Sequence, residues 1–72
     1  MGEFELAVAD LTGVIELAPE YAKGYYSRGV AYANMGEIEA AKADLLKVQE
    51  LTDDPELLAW TEQALAQIDD AD

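Results

Sequence analysis

The chain has 72 residues, of which 16 are acidic and 4 are basic, so its net charge is −12; it contains neither cysteine nor histidine. This length allows one small domain, and the missing residue types exclude disulfides, thiolate zinc sites and imidazole bases. The charge disfavours nucleic acid and membrane partners, because phosphate backbones and anionic lipids both bind through Lys and Arg.

A repeat organises the first three quarters of the chain. Residues 2–19 recur 34 positions later as residues 36–53, and 10 of the 18 aligned pairs are identical. Both copies carry apolar residues at i, i+4 and i+7, which is the spacing of one helix face. These residues are Ala7, Leu11 and Val14 in the first copy, and Ala41, Leu45 and Val48 in the second. We therefore predict helices over residues 3–17 and 37–51.

A further helix is predicted between the copies, over residues 20–35. Pro19 ends the preceding helix, because proline disfavours helical backbone at the residue before it. Gly36 stands where a left-handed residue commonly closes a helix. A glycine inside a helix costs about 1 kcal/mol relative to alanine, so Gly29 indicates a close contact with a neighbouring helix. The stripe that contains it is Tyr25, Gly29 and Tyr32.

The last predicted helix spans residues 55–68. Asp53 or Asp54 can cap it, and Pro55 suits its first turn. Its apolar stripe is Leu57, Thr61, Ala64, Leu65 and Ile68. The acidic residues 69–72 lie at the unfavourable end of the helix dipole and are expected to fray. The sequence thus predicts an all-α fold of four antiparallel helices, because the connections between them are short.

The residues of the central helix pair resemble the tetratricopeptide repeat, a 34-residue helix–turn–helix unit. The matching pattern is Tyr25-x2-Arg28-Gly29-x2-Tyr32 followed by Ala41-x3-Leu45. This resemblance implies an α-solenoid of about one and a half repeats with a C-terminal capping helix. Residues 2–21 would be the second helix of a partial repeat, 22–54 the full repeat, 55–68 the capping helix and 69–72 the acidic tail.

The resemblance also implies a non-enzymatic protein–protein interaction module. In the family, one face of the first helix lines a concave groove that binds peptides. Here that face consists of Lys23, Tyr26, Ser27, Val30, Ala33 and Asn34. The alternative is that Tyr26 and Val30 only pack on a neighbouring helix. Some family members clamp a C-terminal carboxylate with Lys and Asn side chains, but Ser27 and Val30 replace the asparagines. Together with the net charge, this favours a basic or apolar peptide over an acidic one.

Other candidate chemistry is weak. Carboxylates at helical spacing are unavoidable with 16 acidic residues, and a catalytic pair would need a pocket that so thin a domain lacks room for. No Asp-x-Asp-x-Asp-Gly calcium loop is present, so we expect no metal, no cofactor and no enzymatic activity. Arg28 is expected to stack with Tyr25 and Tyr32, and Trp60 to join a contact between helices. The sequence lacks a signal peptide and a membrane-spanning run, and we expect a cytoplasmic protein.

A second hypothesis concerns the first predicted helix. Its stripe should face the first helix of its own repeat, and the sequence does not contain such a helix. Val8 and Ile15 replace Lys42 and Gln49 of the second copy, so the first copy is the more apolar. Exposed apolar patches of this kind mark interaction sites. The alternative function is therefore a structural or assembly element that forms a homodimer through Phe4, Ala7, Val8, Leu11, Val14 and Ile15.

Overall fold

A computed structural model of the chain describes the backbone of residues 2–71 and the side chains of residues 2–68. Every regular element in residues 2–71 is a helix, which confirms the all-α prediction. The four helices are α1 (Glu3–Leu17), α2 (Ala22–Asn34), α3 (Ile38–Leu51) and α4 (Pro55–Ala71). No helix within this part of the chain has the length and apolar content that crossing a membrane requires.

The helix ends follow from local sequence. Gly36 has φ +81°, and the Glu37 amide beyond it donates to the Tyr32 carbonyl at 2.9 Å, closing the last turn of α2. At the start of α4, Asp54 Oδ1 accepts the Glu56 amide at 3.0 Å. The helix α4 continues to Ala71, three residues beyond its predicted end at residue 68, and the fraying of its last turn stays a prediction. Asp72 lies outside the described residues.

Consecutive helices pack side by side, and α4 also touches α2. The core lies on α3, where the predicted stripe of Ala41, Leu45 and Val48 has no exposed surface. Gly29 of α2 lies directly over this stripe, since a Cβ placed on Gly29 would be 3.0 Å from Leu45 Cγ. Ile68 of α4 joins the same cluster. The absent side chain at Gly29 therefore sets how closely α2 approaches α3.

In the described structure, α1 packs on α2 alone. Ile15 is buried in this contact, where its Cγ1 would lie 3.3 Å from a Cβ on Gly24. Its assignment to a self-association surface is therefore corrected, because α2 of the same chain already covers it. The lack of a side chain at Gly24 leaves space for Ile15, a role that the sequence alone did not reveal. Phe4 and Val14, in contrast, are 46% and 39% exposed.

Uncompensated charge is expected to limit the stability of this thin fold, which measures 33 × 33 × 17 Å. With a net charge of −12, repulsion opposes the compact state, and salt screens it over a Debye length of about 10 Å at 0.1 M. We expect sodium chloride to stabilise the chain by about 1 kcal/mol, which corresponds to a rise of roughly 4–8 °C in melting temperature. Thermal unfolding followed by circular dichroism tests this. A melting temperature that is flat from low to molar salt contradicts it.

Candidate functional site

A groove of about 360 Å³ lies between α2 and α4. Four of the six residues predicted for the peptide-binding face line it, namely Tyr26, Val30, Ala33 and Asn34. They share one face because they lie at helical spacing along α2. Lys23 and Ser27 are exposed on α2 but are not among the residues that line the groove.

The opposite wall was not predicted. It consists of one residue at the start of α3 and five residues of α4, which are Ile38, Trp60, Gln63, Ala64, Gln67 and Ile68. The rings of Tyr26 and Trp60 lie 6.2 Å apart with an interplanar angle of 44°, within the range of a favourable aromatic pair. Trp60 thus makes the expected contact between helices, yet it remains 46% exposed and borders the groove.

The groove is uncharged throughout its lining. Val30, Ala33 and Ala64 offer apolar surface, while side-chain amides come from three other residues. The Asn34 Nδ2 donates to the Val30 carbonyl at 2.9 Å, which holds this amide along α2. Gln63 and Gln67 are exposed. Such a surface can hold apolar side chains of a peptide while amides bond its backbone.

A partly buried ion pair holds the helix that carries one wall of the groove. The Arg28 Nε donates to Asp44 Oδ2 at 2.8 Å, and Nη2 donates to Oδ1 at 2.9 Å, so the pair is bidentate. The Arg28 Nη1 donates to Thr12 Oγ1 at 3.2 Å. One guanidinium therefore joins α1, α2 and α3. The hydrogen bond with Asp44 raises the pKa of Arg28, although partial burial opposes the charge.

Two aromatic rings enclose this guanidinium, as the sequence predicted. The Arg28 Cζ lies 5.8 Å from the ring centroid of Tyr25 and 5.8 Å from that of Tyr32. The partner Asp44 was missed, although it follows Ala41 by three residues and precedes Val48 by four, on the buried stripe. Its side chain is only 8% exposed. The contacts of the cluster are those of a structural element, since the Arg28 guanidinium and the Asp44 carboxylate are hydrogen-bonded to each other across α2 and α3.

The helix pair that holds this cluster also matches a known family. The family model described as "Tetratricopeptide repeat" matches residues 22–55. Residues 22–55 are a tetratricopeptide repeat. This match confirms the resemblance to the family that was predicted from the pattern of Tyr25, Arg28, Gly29 and Tyr32. Tetratricopeptide repeats generally mediate protein–protein interaction and are typically not enzymes.

Curated relatives extend the similarity beyond the repeat. The chain is 41% identical over 63 residues to FK506-binding protein-like of Homo sapiens, covering 88% of this chain and 18% of that protein. It is 41% identical over 54 residues to Protein FlbA of Caulobacter vibrioides, covering 75% of this chain and 9% of that protein. The chain thus spans less than a fifth of the length of these relatives. No solved structure matches the chain as significantly as these relatives do.

Proposed function

We propose that the chain binds a peptide or a partner helix in the groove between α2 and α4. The observation that supports this is the lining itself, because a groove of about 360 Å³ combines apolar surface, an aromatic pair of which Trp60 is exposed, and side-chain amides. Such concave, mostly apolar surfaces with a few polar groups are typical of ligand sites. The family supports the same class of function, since its repeats generally mediate protein–protein contacts.

The partner segment is proposed to be basic or apolar rather than acidic. The groove lining carries no charged side chain, so the field of the whole chain, with net charge −12, governs the approach of a ligand. That field attracts a cationic segment and repels an acidic one, and it does so most strongly at low salt. Apolar side chains of the segment would then pack on Val30, Ala33 and Ala64.

Trp60 supplies the measurement, because it is the single tryptophan of the chain and borders the groove. A twelve-residue amphipathic peptide of Leu and Lys is expected to shift the emission of Trp60 to shorter wavelength as it covers the ring. The same peptide with Glu in place of Lys is expected to leave the emission unchanged. Equal shifts with both peptides would contradict the proposed charge preference.

Two glutamines give a matched test of location. Gln67 lies in the groove, whereas Gln49 is exposed on α3 and does not line it. Gln67→Lys is expected to weaken binding of the Leu–Lys peptide by about fivefold, since like charges at 4 Å in water cost about 1 kcal/mol. Gln49→Lys changes the net charge equally and is expected to leave the affinity nearly unchanged. If both substitutions weaken binding alike, the peptide binds by general attraction and not in the groove.

Self-association through α1 stays a prediction. The exposure of Phe4 and Val14 favours it. The composition of α1 opposes it, because the helix carries acidic residues and no basic one, so two copies of α1 repel each other. These acids are Glu3, Glu5, Asp10 and Glu16. Light scattering across a concentration series measures the mass directly, and a constant monomer mass up to millimolar concentration excludes the homodimer.

A further inference from the structure

Trp60 leaves part of its ring open where it borders the α2–α4 groove. Its ring centroid lies 6.2 Å from that of Tyr26, yet the residue remains 46% exposed. Tryptophan gains much from burial, and it is enriched among the residues that dominate binding energy. A ring that one neighbour holds in place while much of it stays open is therefore a preformed surface for a flat group of a ligand.

The direction of the two helices determines which residues surround this ring. Tyr26 and Trp60 contact each other in the first half of α2 and α4. Ala33 and Ile68, near the other ends, belong to one buried cluster with residues of α3. The two helices therefore run in the same direction, and their first turns lie at the same end of the groove. Glu56 belongs to the first turn of α4.

Glu56 places a carboxylate next to the open ring. It precedes Trp60 by four residues, so the two side chains are neighbours on one face of α4. The Asp54 Oδ1 accepts the Glu56 amide at 3.0 Å, which fixes this first turn. The Glu56 side chain is exposed and forms no ion pair with the side chains that the structure describes. Gln63, three residues after Trp60, adds an amide to the same stripe.

This end of the groove thus combines an aromatic face, a carboxylate and an amide. We propose that it is a subsite for an arginine side chain of the bound peptide, whose guanidinium stacks on Trp60 and donates to the Glu56 carboxylate. The inference rests on the peptide binding proposed for the groove. A guanidinium fits this subsite better than the ammonium of lysine, because it is planar, more weakly hydrated and carries five donors in a fixed fork.

The chain already holds one arginine of its own in this way. The Arg28 Cζ lies 5.8 Å from the centroids of two tyrosine rings, while Nε and Nη2 donate to Asp44. In the proposed subsite, Trp60 takes the part of the tyrosines and Glu56 that of the aspartate. The Asp44 side chain is only 8% exposed, whereas Glu56 is open to solvent. The subsite is therefore expected to raise the affinity by a few-fold.

Lys23 determines which wall of the groove takes the arginine. It is exposed on α2, three residues before Tyr26, and so lies at the same end of the groove as Glu56. A cationic side chain of the peptide is repelled by this ammonium and attracted by the glutamate opposite. Charge complementarity therefore places the arginine on the α4 wall, over Trp60.

Two twelve-residue amphipathic peptides test the subsite, one of Leu and Lys and one of Leu and Arg. Their charges are equal, so the general attraction to an acidic chain cancels in the comparison. With a fluorescent label on each peptide, anisotropy is expected to show about threefold tighter binding of the Leu–Arg peptide. Trp60→Leu is expected to make the two affinities equal, whereas Trp60→Phe keeps a ring and is expected to retain part of the preference.

Two glutamates of α4 supply the matched control. Glu56→Gln is expected to weaken binding of the Leu–Arg peptide about fivefold, because it removes the proposed charge-assisted pair. Glu62→Gln removes the same charge from an exposed residue that does not line the groove and lies two residues after Trp60, on another face of the helix. It is expected to change the affinity less than about twofold. Circular dichroism of each variant verifies that the helices are retained.

The outcomes separate this inference from the proposed function. Absence of binding of both peptides at millimolar concentration would overturn peptide binding in the groove, and the arginine subsite with it. Equal affinities of the two peptides for the wild type would overturn the subsite alone. The same holds for a preference that survives Trp60→Leu, and for equal losses with Glu56→Gln and Glu62→Gln. The groove would then bind peptides through its apolar lining and the net charge of the chain.

Discussion

Replacing Arg28 with alanine is expected to destabilise the fold by about 3 kcal/mol, a large share of the stability of so small a domain. The reason is the carboxylate that remains. The Asp44 side chain is only 8% exposed, and without the guanidinium its charge is left buried and unpaired. The same substitution also removes the guanidinium from its position beside the rings of Tyr25 and Tyr32. The free energy of unfolding, measured by urea denaturation, gives the loss.

A second ion pair serves as the control. The Lys47 Nζ lies 4.0 Å from Glu50 Oε1, and both side chains are well exposed. Lys47→Ala is therefore expected to change the free energy of unfolding by less than about 0.5 kcal/mol. The double substitution Arg28→Met with Asp44→Leu is expected to recover most of the stability, because a buried pair can be replaced by apolar residues of similar volume. An Arg28→Ala loss no larger than that of Lys47→Ala would show that the pair contributes little.

The contribution of Arg28 is expected to be independent of pH near neutrality. Its pKa is raised in the folded state, chiefly by the hydrogen bond with Asp44. A group whose folded pKa is raised stabilises the fold fully below its unfolded pKa, which for arginine lies far above neutral pH. The stabilisation is lost only as the pH rises through the still higher folded pKa. The difference between wild type and Arg28→Ala should therefore be the same at about pH 6 and about pH 9.

The sequence predicted the helices well because two copies report the same pattern. Ala41, Leu45 and Val48 form the buried stripe of α3, as the shared i, i+4, i+7 spacing indicated. Asp44 was missed because acidic residues are abundant, and their number favoured a solvated surface. Its position could have indicated burial, since Asp44 lies between Ala41 and Val48 on the face that the apolar residues define. A buried charge there requires a partner, and Arg28 stands where the family pattern has leucine.

Only the α2 wall of the groove could be predicted. The orientation of α4 depends on which of its faces packs against α3, and the repeat pattern does not extend to that helix. Thr61 has no exposed surface, and its Oγ1 donates to the Leu57 carbonyl at 2.8 Å, so a polar residue occupies the packed face without loss of hydrogen bonding. Trp60 is thereby turned toward Tyr26. Local spacing alone does not determine this choice, because it follows from the fit between whole helices.

Two glycines in helix interiors are expected to respond to substitution with opposite signs. A Cβ on Gly13 would meet nothing within 4 Å beyond the local helix backbone, whereas a Cβ on Gly29 would lie 3.0 Å from Leu45 Cγ and 3.3 Å from the Ala41 carbonyl oxygen. Gly13→Ala is therefore expected to stabilise the chain by about 1 kcal/mol through helix propensity. Gly29→Leu is expected to destabilise it by about 3 kcal/mol, because the larger side chain forces α2 away from α3.

The position of the Ala41 carbonyl oxygen explains why the structure cannot accommodate a larger side chain in place of Gly29. A flexible side chain such as that of Leu45 can change rotamer, but a backbone oxygen moves only if α3 moves with it. Separation of α2 from α3 would in turn stretch the Arg28–Asp44 pair, whose bonds are already at 2.8 and 2.9 Å. The losses from Gly29→Leu and Arg28→Ala are thus expected to be less than additive when combined. Full additivity in urea denaturation, or an unchanged unfolding midpoint for Gly29→Leu alone, would show that the two contacts are independent or that the helices are not closely packed.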